Sequence, residues 1–276
     1  MNNENIMAGY FRTWRDKATD PVVNKTAMNE LPENLDIVLV FPVETPPENP
    51  YWQALKDVYV PHLHNNGTKV VFTQGIQGLL DNVNYPDNPA GHQKYVDFIM
   101  DTYINAYQLD GFDIDFERTL TPAEHLKTVN ICTLFSRHLG PLSGTGKLLI
   151  IDTNRTGTDP LFRATGTMID YLFLQAYGRS LSQMDPVYDS FKDFLPARKF
   201  VPGFSFYEER GPRWDDISED RNSGRAYDYA DWQPSDGGRK GGLFSYAIDR
   251  DIPIRTDEII AADYYATRKL TERMNP

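Results

Sequence analysis

Residues 109–117 read Leu109-Asp110-Gly111-Phe112-Asp113-Ile114-Asp115-Phe116-Glu117, acids alternating with large apolar residues. In a β-strand, side chains two apart share a face. Asp113, Asp115 and Glu117 therefore point one way, and Phe112, Ile114 and Phe116 the other. A solvated strand face would explain the acids by themselves, so the rest of the chain has to decide what this strand belongs to.

Outward from it, short apolar runs alternate with amphipathic stretches. Strands are expected at Ile6–Phe11, Asp36–Phe41, Lys69–Thr73, Gly111–Phe116, Lys147–Ile151, Tyr171–Ala176, Lys199–Ser205 and Gly242–Ala247. Each is nearly continuously hydrophobic, as a parallel strand covered on both sides should be. Between them lie helix starts. Thr121-Pro122-Ala123-Glu124 has the form of a capping box with proline at the first helical position, and Gly140 is its expected stop. Asn88-Pro89, Asp159-Pro160 and Asp185-Pro186 repeat the cap-then-proline start. Val96, Ile99, Met100, Tyr103 and Tyr107 share one helical face, as a core stripe does.

Eight strand–helix alternations with no Pro/Gly/Ser linker predict a single (β/α)8 barrel spanning residues 1–276. A doubly wound sheet is the rival, but neither GxGxxG nor GxxxxGK[ST] occurs. Inside a barrel the three acids cannot be a solvated face, because that interior is packed with side chains. Carboxylates about 7 Å apart along one strand repel unless some hold protons, and such crowding raises a carboxyl pKa as a general acid requires.

Composition narrows the partners. The 276 residues carry a net charge of −11, which argues against nucleic acid and anionic membrane surfaces. No apolar run approaches a membrane span, so no membrane insertion is expected. The single cysteine, Cys132, excludes an intrachain disulfide and sits at an apolar helical position, as a buried small hydrophobe would. A hard-cation site on the carboxylates stays open. His62, His64, His92, His125 and His138 all fall in expected helices or loops, as surface residues rather than ligands. The expectation is no metal and no organic cofactor. The opening MNNENIMAGY has neither a basic nor an apolar signal region. A secreted or cell-surface protein with its leader removed is expected, and an intracellular one stays open.

Asp110-Gly111-Phe112-Asp113-Ile114-Asp115-Phe116-Glu117 resembles the DGxDxDxE signature of family 18 glycoside hydrolases. Gly9-Tyr10, Gly203-Phe204-Ser205-Phe206-Tyr207 and Gly241-Gly242-Leu243-Phe244-Ser245-Tyr246-Ala247 extend the resemblance to strands one, seven and eight. It implies a substrate-assisted retaining mechanism, an exception to the two-carboxylate rule. Glu117 would protonate the glycosidic oxygen, and the substrate's own 2-acetamido oxygen would be the nucleophile. Asp115 would orient that group, Asp113 would share a proton with Asp115, and Asp110 would be structural.

Strand six ends Leu174-Gln175-Ala176-Tyr177-Gly178. Family 18 chitinases usually carry methionine where Gln175 stands. The Gln-x-Tyr form resembles endo-β-N-acetylglucosaminidases, which cut the chitobiose core of N-linked glycans. Gln175 and Tyr177 would both hydrogen-bond the acetamido group. Arg118 stands where many chitinases have an aromatic, and Tyr246 where they have the tryptophan beneath the −1 sugar. Tyr246 is the expected floor, with Phe11, Tyr207, Trp214 and Glu208 as further sugar contacts and Glu209 beside them. Trp14, Trp52 and Trp232 are further candidate platforms. The expected substrate is an N-linked glycan or glycoprotein, bound by a monomer. Alternatives are a chitinase, a non-catalytic sugar-binding barrel and, more distantly, a metal-dependent barrel hydrolase.

Overall fold

The apolar runs become parallel strands in a computed structural model that describes residues 4–81, 83–211 and 214–276. They are β1 (Ile6–Arg12), β2 (Ile37–Phe41), β3 (Lys69–Gly75), β4 (Gly111–Phe116), β5 (Leu148–Thr153), β6 (Tyr171–Gln175), β7 (Phe200–Ser205) and β8 (Gly242–Tyr246). Each pairs with the next in parallel, and β8 pairs with β1, which closes a (β/α)8 barrel.

Strand alternation divides the apolar residues into two cores. Phe11, Val38, Val40, Phe112, Ile114 and Phe116 point outward and pack beneath the helices. Ala8, Tyr10, Leu39, Ile150, Phe173 and Phe244 fill the barrel interior. There the Phe173 and Phe244 rings stack with centroids 4.9 Å apart. Gly203 makes room for them, since a Cβ there would lie 2.1 Å from the Phe244 ring.

The helix starts at Pro89, Pro122 and Pro160 form as expected. Asn88 accepts from the Gly91 N–H, Thr121 and Glu124 form the full capping box, and Asp159 accepts from the Leu161 N–H. Two expectations are corrected. The helix Pro122–Phe135 ends at Ser136, ahead of Gly140, which instead makes a left-handed turn at φ 79° into β5. Asp185 is not a cap either. A 3-10 turn, Leu181–Gln183, capped by Ser180, feeds a helix that already starts at Met184, and the Asp185 carboxylate accepts from the Ser235 N–H. Cys132 is fully buried. Among the described residues no helix is long and apolar enough to cross a membrane.

Candidate active site

Burial grades along β4 as the strand climbs toward the mouth. Asp113 is fully buried, Asp115 half-buried, and Glu117, just past the strand, exposed. Asp110, at the other end, accepts from the Val70 N–H at 2.8 Å and lies 2.7 Å from His64 Nε2, so it ties β4 to β3. Asp113 Oδ2 accepts from the Tyr10 hydroxyl at 2.8 Å and the Thr73 hydroxyl at 3.0 Å. Burial nevertheless pushes its carboxyl up to about 7. Asp115 rises to about 8, first through burial and then through the Glu117 and Asp113 charges. Asn154 Nδ2 donates to Glu117 Oε2 at 3.3 Å from beyond the end of β5.

Beside this row stands a fourth acid that the sequence reading missed. Asp152 lies directly across the β4–β5 ladder from Asp115 and is only 2% exposed. β5 runs on to Thr153 rather than ending at Ile151, which turns Asp152 inward on the same face as Ile150. Burial, followed by the Asp115 and Asp113 charges, holds its carboxyl well above the usual range. Gln175 bridges the two strands. Its Nε2 donates to Asp152 Oδ2 at 2.7 Å and to Asp115 Oδ1 at 3.3 Å.

Asp115, Glu117, Asp152 and Gln175 line a cavity of about 460 Å³ at the barrel mouth, together with Tyr10, Phe41, Tyr177, Glu208, Trp214 and Tyr246, while Asp113 lies beneath it. Tyr177 and Tyr246 lie with ring centroids 6.0 Å apart, and Phe41 meets Tyr246 edge-on at 6.1 Å. The Tyr177 phenol is held neutral chiefly by its burial. Trp214 is 46% exposed. Gly178, at φ 70°, lets its ring come close, since a Cβ there would fall 2.5 Å from Trp214 Cζ3. The buried Asp216 fixes this corner by accepting from the Gly178 N–H at 3.1 Å and the Ser205 N–H at 2.9 Å.

Glu208 reaches the cavity because Arg12 holds it. The Arg12 guanidinium, buried inside the mouth, pairs with Glu208 at 3.1 Å, Glu209 at 2.9 Å and Asp249 at 2.7 Å. Arg12 carried no sequence signal except its parity, two residues beyond Tyr10 at the end of an apolar strand.

Other expected contacts do not reach the cavity. Phe11 is fully buried in the outer core, because the pleat that turns Tyr10 and Arg12 inward turns Phe11 toward the helices. Tyr207 leaves with the chain after β7, donates its hydroxyl to Asp257 at 2.8 Å and lies against Arg255. Trp52 and Trp232 are packing residues, 6% and 7% exposed. His92 is buried rather than superficial, 2.6 Å from Asp87 Oδ1. Arg118 turns away to pair with Glu124. Among the described residues no group of three or more His, Cys, Asp or Glu side chains is arranged to hold a metal ion.

The chain is also similar to known proteins. Residues 9–245 match the family model for the endo-beta-N-acetylglucosaminidase EndoS TIM-barrel domain. The chain is 43% identical to endo-beta-N-acetylglucosaminidase F2 of Elizabethkingia meningoseptica, covering 100% of this chain and 83% of that protein. It is 36% identical to endo-beta-N-acetylglucosaminidase EndoSd of Streptococcus dysgalactiae over 89% of this chain, but spans only 33% of that longer protein. Among solved structures, a mutant endo-beta-N-acetylglucosaminidase from Cordyceps militaris, in complex with fucosyl-N-acetylglucosamine-Asn, superposes with a TM-score of 0.94. That likeness comes at 44% identity and covers 100% of this chain and 92% of the fungal one. With its fourth strand carrying a graded row of acids, and matching this family's model over residues 9–245, the chain belongs to the endo-β-N-acetylglucosaminidase TIM-barrel family of glycoside hydrolases.

Proposed function

We propose that this protein hydrolyses the β-1,4 bond between the two N-acetylglucosamines of the N-glycan core, using the substrate's acetamido group as nucleophile. The observation that carries the reading is the Gln175 amide, hydrogen-bonded to Asp115 and Asp152 and adjoining Tyr177 in the same cavity as Glu117. That arrangement suits an amide substituent on the −1 sugar better than a plain hydroxyl.

Glu117, exposed to the cavity, protonates the departing oxygen as the C–O bond breaks. The 2-acetamido oxygen attacks the anomeric carbon and closes an oxazolinium ring. Asp115 accepts from the acetamido N–H and offsets its growing positive charge from a half-buried position on β4. Water then opens the ring, giving its proton to Glu117, so the same residue serves as acid and then base. Tyr177 and Gln175 pin the acetamido group in attacking geometry. Tyr246 floors the −1 sugar, and Trp214 and Glu208 supply a platform and an acceptor at the rim. The expected place of work is outside the cell, where glycoproteins are displayed.

The test is incubation with a high-mannose and a complex-type glycoprotein, followed by mass spectrometry. Loss of the glycan with one N-acetylglucosamine left on asparagine is the expected result. Cleavage of chitin oligomers with both glycoproteins untouched would overturn the assignment in favour of a chitinase.

A further inference from the structure

We propose that Asp152 is a positioning residue that clamps Gln175 and remains protonated through the reaction, leaving the interior's negative charge to Asp115 when Asp115 faces the acetamido group. This rests on the substrate-assisted reading above.

The argument begins with which oxygens have partners. Asp113 has two hydroxyl donors on Oδ2, from Tyr10 and Thr73. Asp115 has the Gln175 amide and an open face toward the cavity. Asp152 has only the amide it shares with Asp115, and its Oδ1 has no partner. Groups facing Asp152 come from three other strands: Asp113, Asp115 and Glu117 on or just past β4, Gln175 and Tyr177 at the end of β6, and Tyr10 on β1. All that can ionise are acids, and none is cationic. Three buried carboxylates cannot all be charged in such surroundings. Of the two fully enclosed acids, Asp152 has a single amide donor where Asp113 has two hydroxyls, so Asp152 keeps its proton at the least cost. Asp115, nearest the cavity, is then the acid left to ionise against a positive charge developing on the substrate.

The clamp follows from the same geometry. The Gln175 Nε2 donates at 2.7 Å to Asp152 and at 3.3 Å to Asp115, so Asp152 is the stronger anchor. It fixes which way the amide points, and therefore where its carbonyl oxygen sits for the acetamido group.

The experiment compares Asp152→Asn and Asp152→Ala on a defined glycopeptide, with kcat, KM and the pH profile of kcat/KM. Asparagine mimics a neutral carboxyl and still accepts from Gln175. It should keep kcat within about fivefold of wild type and leave the pH profile in place, since no charge is removed. Alanine removes the acceptor and should lower kcat about thirtyfold or more with KM little changed, the mark of an interaction used in the transition state. A hundredfold loss in the asparagine variant, a profile displaced by a full pH unit, or near-wild-type turnover in the alanine variant would each overturn the inference. Infrared difference spectra of wild type against Asp152→Asn, which keeps the Gln175 contact, read the proton directly. Loss of a protonated-carboxyl stretch at neutral pH in the variant supports the proposal, and a protonated-carboxyl band unchanged by the substitution overturns it. If wild type itself leaves the glycopeptide intact, the functional reading has failed. Active wild type beside an inactive asparagine variant sinks only the role of Asp152.

Discussion

Arg12→Met should destabilise the protein most at neutral pH, with the deficit closing in acid. Three cations, Arg12, Arg15 and Arg250, meet three carboxylates, Glu208, Glu209 and Asp249, at the barrel mouth. The Arg12, Glu209 and Asp249 side chains are 3%, 5% and 3% exposed, so this is a buried cluster rather than a surface pair. Burial works against the Arg12 charge, but Asp249 and Glu209 outweigh it and raise the guanidinium further. Methionine keeps the length and apolar stem and leaves one carboxylate uncompensated. Breaking a buried ion pair in this way costs about 3–5 kcal/mol. At about 2–4 °C per kcal/mol for a chain approaching this size, melting should fall by roughly 6–20 °C. The pH dependence follows from Glu209. Burial would raise its pKa, but Arg12 prevails and holds it below the ordinary glutamate range. The stability it contributes is present above the unfolded value, about 4.3, and is lost as pH falls through the lowered native one. The variant lacks Arg12's share of that contribution and keeps only the part from Arg15 and Arg250, so the gap between the two melting curves should narrow below about pH 4. Adding Asp249→Asn to the variant should restore part of the loss by removing the orphaned charge. Calorimetric melts at pH 7, 5 and 3.5 are the assay. A variant within about 2 °C of wild type at pH 7, or a gap that stays constant into acid, would refute the reasoning.

The remaining expectations concern catalysis and the interior acids. Glu117→Gln should lower kcat on a glycoprotein by about 10²–10⁴ with folding unchanged, and near-wild-type turnover would remove Glu117 from its role. Given a preformed sugar oxazoline and an N-acetylglucosamine acceptor, Asp115→Asn should transfer the glycan while failing on the intact substrate, and Glu117→Gln should be poor at both; equal inertness of the two on the oxazoline would break the assignment. Asp115 has a native pKa raised to about 8, so its share of stability is present below its unfolded value and lost as pH rises through 8. Asp115→Asn should therefore gain on wild type in melting temperature between pH 4 and 8, and a flat difference would contradict the interior assignment. Exhaustive dialysis against chelator should leave activity intact, and a loss restored by zinc or calcium would favour a metal-assisted route.

The fold was legible because a parallel barrel writes each strand as an apolar run, and all eight runs lie within two residues of the strands observed. The acids of β4 were legible because their alternation with Phe112, Ile114 and Phe116 requires two opposite faces. What failed was parity at the strand ends. Extending β1 to Arg12 makes Tyr10 and Arg12 the inward pair and sends Phe11 to the outer core. Extending β5 to Thr153 brings Asp152 inward, across from Asp115. Both strand ends carry a charged residue, which reads as the start of a loop when a strand is recognised by hydrophobicity alone. Tyr207 failed for a different reason: past Ser205 the strand alternation no longer applies, and its direction is set by Asp257, fifty positions away.

The strand-end misreadings share a physical cause that also explains where the site is. At the C-terminal mouth of a barrel the strands leave the apolar interior, so their last inward residues are free to be polar. Arg12, Asp152, Gln175 and Tyr246 are all such residues, each at or next to the end of its strand. Hydrophobic patterning fades where these side chains begin, and the cleft is assembled from that same layer. A polar residue two positions beyond the last inward apolar one, as Asp152 is beyond Ile150 and Arg12 beyond Tyr10, is therefore better read as one more inward strand residue than as the first residue of a loop. The rule has a limit visible in this chain: Thr153 and Phe11 sit one position from those residues and face the other way.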